Sequence, residues 1–114
     1  MPFINVKTNT EVSKEQEVRV KQSLGKAIEL IPGKSEEWLM VAIEGGLTLY
    51  FKGDTDQPTA FVEVKIFGSA SEEAYQRETE RITQVIKEEL QVAPERIFIA
   101  YQELEHWGWN GTNF

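Results

Sequence analysis

Ala60-Phe61-Val62-Glu63-Val64-Lys65-Ile66 is the stretch on which the reading of the chain turns. Val62, Val64 and Ile66 alternate with Glu63 and Lys65, a period of two that belongs to a strand with one apolar and one polar face. Gly68-Ser69-Ala70-Ser71 then leads into an apolar stripe at helical spacing, Tyr75, Ile82, Val85, Ile86 and Leu90. Ser69 and Glu72 have the spacing of a capping box. Ala93-Pro94-Glu95-Arg96 breaks this helix, and Ile97-Phe98-Ile99-Ala100-Tyr101 is β-prone and apolar enough to be the next strand. Strand, helix and strand together make a βαβ unit.

The same order stands upstream. Phe3-Ile4-Asn5-Val6 predicts a strand running to Thr8-Asn9. Ser13 opens a helix with Gln16 as its capping-box partner, and Val20, Leu24, Ala27, Ile28 and Ile31 form its apolar stripe. Pro32-Gly33 ends it, because proline removes a backbone donor and glycine supplies a flexible exit. Trp38-Leu39-Met40-Val41-Ala42-Ile43 is a nearly continuous apolar run, as in a strand buried on both faces. After the Gly45-Gly46 turn, Leu47-Thr48-Leu49-Tyr50-Phe51 predicts one more strand, and Gly53 to Pro58 a loop. The chain is therefore expected to be one α+β domain over residues 1–114, an α/β sandwich made of two βαβ pseudo-repeats. Right-handed crossovers put both helices on one face of a four-stranded sheet. The other face and the sheet edges are left uncovered, so an oligomer is expected.

Composition narrows the chemistry. The chain has 114 residues, no cysteine and a single histidine, His106. Disulfides, thiolate catalysis and Cys-based metal sites are excluded, and a His-rich metal site or a Ser-His-Asp triad is disfavoured. The net charge of −7, from 19 acids and 12 bases, argues against nucleic acid or an anionic membrane as partner. No apolar run approaches the ~18 residues of a membrane span, and no signal-peptide pattern is present. The expected compartment is the cytoplasm, with non-classical secretion as an open alternative.

Met1-Pro2 carries the chemical signal. Proline in second position normally allows the initiator methionine to be trimmed, which leaves Pro2 with a free secondary amine. An α-amino group titrates near ~8, and modest desolvation brings it close to neutrality, where a general base works best. The bland alternative is a chance residue on a frayed terminus.

With that order in place, the chain resembles the macrophage migration inhibitory factor family of the tautomerase superfamily over its whole length. The likeness rests on Met1-Pro2, Thr8-Asn9 at the end of the first strand, Gly33-Lys34 after the first helix, Pro94-Glu95-Arg96-Ile97, and Gly108-Trp109-Asn110 with Phe114. The resemblance implies a homotrimer with sheets inside, helices outside and active sites at subunit boundaries. It implies keto–enol tautomerisation of an aromatic 2-oxo acid such as phenylpyruvate, without metal or cofactor. Pro2 would be the general base and Lys34 would hold the substrate carboxylate. Phe3, Phe98, Trp107, Trp109 and Phe114 would form an aromatic wall, and the Phe67 N–H would be a further carboxylate donor. Each has an ordinary alternative. Lys34 can complement a helix dipole, Phe98 can be core, and the two tryptophans can be interface. The chain also departs from the family. Phe98 stands where many relatives carry a pocket tyrosine, Ala100 where many carry asparagine, and Phe67 where isoleucine is common. A greasier pocket is expected, with activity lowered or redirected. The alternative functions are a signalling or interaction module with a vestigial pocket, and a different superfamily reaction such as dehalogenation or hydration of an unsaturated acid.

Overall fold

The computed structural model describes residues 1–114. Four strands form one mixed sheet: β1 (Pro2–Thr8), β2 (Met40–Glu44), β3 (Ala60–Phe67) and β4 (Ile97–Leu104). Their order is β2-β1-β3-β4. The β1–β2 and β3–β4 pairs are parallel, and β1 and β3 run antiparallel between them. Helices α1 (Lys14–Ala27) and α2 (Glu72–Leu90) connect the parallel pairs. A two-stranded hairpin, β5 (Gly108–Trp109) and β6 (Thr112–Asn113), ends the chain.

The two-residue period of the strands is what sorts the core. Ile4 and Val6 of β1, and Val62, Val64 and Ile66 of β3, are buried beneath the helices with Val20, Leu24, Ile28, Ile82, Ile86 and Leu90. Both apolar helix stripes therefore meet the same sheet face. Successive strand residues point to opposite faces. The second face thus carries Phe3, Asn5 and Lys7 of β1, and Phe61, Glu63, Lys65 and Phe67 of β3, only partly buried.

Local signals set the element ends. The Ser13 capping box forms as expected: Ser13 Oγ accepts from Gln16 N–H at 3.1 Å, and Gln16 Oε1 accepts from Ser13 N–H at 2.9 Å. After α1, a short 3₁₀ turn leads to Pro32-Gly33, where Lys34 N–H donates to Ile31 O at 3.1 Å and Gly33 holds φ +83°. An L-side chain rarely adopts that φ, so glycine fits the turn.

Three expectations are corrected. Leu47–Phe51 forms no strand of the sheet; Phe51 makes only an isolated bridge with Asp54. The chain instead follows the end of β1, where Gly46 N–H and Leu47 N–H donate to Thr10 O and Thr8 O. Helix α2 is capped by Ser71, whose Oγ accepts from Ala74 N–H at 3.1 Å, and not by Ser69 with Glu72. Gly68, at φ +91°, turns the chain there, so that Ser71 directly precedes the helix. The apolar run Trp38–Ile43 is not buried on both faces, because the helices cover only the face that carries Val41 and Ile43. Met40 is 69% exposed and Trp38 43%.

Glu78 is the residue the apolar pattern does not foretell. It lies in the buried stripe of α2, fully buried, and neither carboxylate oxygen has a hydrogen-bond partner. Burial pushes its carboxyl up to about 8 from 4.5, with the Arg81 charge only partly opposing it. The folded pKa lies above the unfolded one, so the folded chain keeps a proton that the unfolded chain releases. Stability is then greatest below about 4.5 as far as this group is concerned, and falls with rising pH until about 8. The melting temperature should drop between about pH 5 and about pH 8 through this group. Glu78→Met, which fills the same space without a charge, should flatten that slope and raise the melting temperature at about pH 8 by roughly 4–8 °C. Thermal denaturation monitored by circular dichroism checks both.

Candidate functional site

Pro2 begins β1 at the point where the chain enters the sheet. It is buried, and the strand register sets it opposite Ile66. Because β1 is paired on both edges, its first residues cannot fray as an ordinary terminus would. A cavity of about 790 Å³ opens beside it, a volume typical of small-molecule sites. Its walls are Met1, Pro2 and Phe3, the segment Glu37–Met40, Lys65, Leu104, and His106–Trp109.

The aromatic residues come from three separate segments. The Trp38 and Trp109 rings meet edge to face at 5.2 Å, and Trp109 stacks with Phe114 at 6.5 Å. Phe114 packs in turn on Phe67 at 5.5 Å. The hairpin that presents Trp109 turns at Asn110-Gly111, both at positive φ, the conformation a two-residue hairpin turn requires. Phe114 N–H closes it on Trp107 O at 3.0 Å.

Lys34 meets this end of the sheet. Its Nζ donates to Phe67 O at 2.9 Å, while Phe67 N–H donates to Met1 O at 3.0 Å. The Met1 amine is held below its ordinary 8.0, chiefly by burial, then by the Lys34 charge and a hydrogen bond with Lys34. The environment at this end of β1 therefore favours a neutral amine.

The structure thus brings Pro2, Phe3, Trp107 and Trp109 of the expected site into one cavity. Lys34 lies beside Met1, while Phe114 stacks on Trp109 and Phe67 on Phe114 without lining the cavity wall. Phe98 does not line the Pro2 cavity of its own chain. It sits opposite Phe61 at the start of β4, whereas Leu104, opposite Phe67, occupies the Pro2 end. Six residues of strand separate the two positions by about 20 Å. Phe98 instead meets Phe51 at 5.0 Å and Phe61 at 6.3 Å, and is 54% exposed.

Sequence reasoning missed Trp38, Met40 and Lys65 as cavity residues. Trp38 and Met40 were hidden in an apolar run that looked like core. The signal for Lys65 was its alternation with Ile66, which puts it on the face away from the helices. Two motifs that carried the resemblance have structural work. Thr8 Oγ1 donates to Thr59 O at 2.7 Å and Thr59 N–H donates to Asn9 Oδ1 at 2.9 Å. Arg96 Nε donates to Pro58 O at 3.1 Å, and the guanidinium lies 5.2 Å from the centre of the Phe51 ring. Both clamp the loop ahead of β3.

Two parallel strand pairs joined antiparallel, with two helices on one face and a proline-headed strand opening on an aromatic cavity, define a tautomerase-superfamily fold. The family model for macrophage migration inhibitory factor (MIF) matches residues 1–114. The chain belongs to the macrophage migration inhibitory factor family. It is similar to MIF-like protein mif-2 of Caenorhabditis elegans, at 30% identity covering 98% of this chain and 93% of the relative. Among solved structures it resembles MIF2 of Leishmania major, with a TM-score of 0.93 and 30% identity over 100% of this chain and 97% of that one. It also resembles the homologue from Prochlorococcus marinus, with a TM-score of 0.88 and 29% identity over 98% of each.

Trp109 bridges Trp38 and Phe114 yet is 52% exposed. Trp109→Ala should therefore weaken binding of an aromatic carboxylate such as cinnamate by about tenfold, with little change in melting temperature. Calorimetric titration and thermal denaturation of the same samples measure the two effects.

Proposed function

We propose that the protein is a cofactor-free tautomerase that interconverts the keto and enol forms of arylpyruvates such as phenylpyruvate, one domain of 114 residues working in the cytoplasm. The observation that carries this reading is the depressed amine at a buried strand end beside an aromatic cavity. Loss of Met1 moves the free amine to Pro2, at the same strand end beside the cavity. The same loss frees the Phe67 N–H that Met1 O now occupies.

Pro2 then takes a proton from the carbon next to the substrate carbonyl and returns it to the oxygen, or the reverse, so no redox partner is needed. Lys34 and the Phe67 N–H hold the carboxylate, and Phe3, Trp107, Trp109 and Phe114 enclose the ring. The working unit is a homotrimer. The exposed apolar groups on the face away from the helices, Met40, Phe61 and Phe98, support a partner copy there. A neighbour is also what would carry Phe98 to a Pro2 cavity. Phe98 and Ala100 offer no polar group to a substrate oxygen, which favours a second reading as a signalling or interaction module with weak turnover.

Protein whose intact mass confirms loss of Met1 should ketonise phenylpyruvate well above buffer and sediment at three times the 13.1 kDa chain mass. Pro2→Gly and a Met1-retaining form should lose at least about a hundredfold in kcat/KM while keeping the fold. The free base is the active form, so kcat/KM should rise with pH and level off above an apparent pKa below ~8. A trimmed trimer without turnover would instead support the interaction module.

A further inference from the structure

Lys65 is a cavity cation that the proposed reaction does not use. It lies on the sheet face away from the helices and lines the same wall as Phe3 and Leu104. Lys34 stands at the Pro2 end, where its Nζ donates to the carbonyl of Phe67. Of the two lysines only Lys65 lines the cavity, and Lys34 lies beside Met1 at its Pro2 end.

What distinguishes Lys65 is the absence of a counter-charge within its own chain. The register sets Phe3 beside it on β1 and Gln102 beside it on β4, both neutral. Two residues along its own face lie Glu63 and Phe67. Glu63 is already engaged, 3.0 Å from Lys7 Nζ. None of the ion pairs in the chain includes Lys65, although the residue is half-buried. A partly desolvated ammonium with neutral neighbours favours an anion supplied from outside. The only carboxylate on the cavity wall is Glu37, on the segment that leads into β2.

We propose that Lys65 determines substrate class: the cavity takes an aromatic 2-oxo acid that carries a second anionic group on the ring. Lys34 receives the 2-oxo acid's carboxylate and Lys65 the distal anion, with the ring held between them by Trp107 and Trp109. This rests on the tautomerase reading for the position of the 2-oxo acid, and adds the charge at its far end. In a chain of net charge −7, Lys65 on the cavity wall and Lys34 beside Met1 offset the surrounding negative field for a dianionic ligand. Glu37 acts against the dianion and keeps the preference finite.

The test compares binding of cinnamate and 4-carboxycinnamate to Met1-trimmed protein, read by tryptophan fluorescence and by calorimetry. Wild type should bind the dianion about tenfold more tightly than the monoanion, the size of one partly desolvated charge pair. Lys65→Met should bring that ratio close to one, Lys65→Arg should keep most of it, and Glu37→Gln should raise it. A second arm measures kcat/KM for phenylpyruvate and its para-carboxylated analogue, with the preference expected in KM. A wild-type binding ratio near one, or a ratio that survives Lys65→Met, overturns the assignment. So does a Lys65→Met protein that sediments as monomer while its binding ratio stays high, which would make Lys65 a subunit contact. Turnover without a dianion preference refutes the role of Lys65 and leaves the reaction standing. A dianion preference without turnover of either substrate refutes the reaction and leaves the binding assignment standing.

Discussion

Pairing of β1 on both of its edges is the constraint from which the rest follows. The strand is paired antiparallel with β3 over its whole length and parallel with β2 from Phe3 to Lys7. Alternation then decides the fate of every residue in it: Ile4 and Val6 go under the helices, Phe3 and Lys7 to the opposite face. Because pairing begins at Pro2, the chain terminus becomes a fixed, desolvated point instead of a mobile tail. A terminal amine that acts as a base needs that fixity, since proton transfer depends on placement before it depends on pKa.

The helices cover only one sheet face, and that asymmetry sets where the cavity and the exposed apolar groups fall. The covered face is mainly aliphatic and close to fully buried, interrupted by Thr8 at the end of β1 and Glu78 of α2. The uncovered face mixes aromatic and charged side chains, and its charges are unevenly matched. Lys7 and Glu63 neutralise one another near the middle, while Lys65 is left at the Pro2 end. The aromatic groups divide likewise into two clusters. Trp38, Trp109, Phe114 and Phe67 gather near Pro2, and Phe51, Phe61 and Phe98 gather at the far end of β3 and β4. Strand length alone keeps these clusters apart within one chain.

Much of this was legible in the residue order, and the exceptions have physical causes. The helix stripes and the alternation in β3 were readable because burial imposes a period of 3.6 or 2 on the sequence. Leu47–Phe51 has the composition of a strand but forms none, because composition cannot specify a partner, and here the backbone donors go to the end of β1. Ser69 and Ser71 offer equally plausible caps. The turn at Gly68 selects between them, and its φ is a property of the folded path. Glu78 was invisible because a carboxylate at a core position looks like a polar interruption until the neighbouring elements close over it.

The sequence by itself determined the two βαβ units, the one-sided core, the proline-headed strand and most of the aromatic residues near it. Each of these is written in local periodicity, turn chemistry or position along the chain. Tertiary structure alone decided that Trp38 and Lys65 share a cavity with Pro2, that Phe98 stands about 20 Å along the sheet from it, and that Lys65 has no counter-charge within its own chain. Those outcomes depend on strand order and register, which bring together residues far apart in the chain. Register is fixed by the packing of the whole sheet against the helices and by no single segment of it.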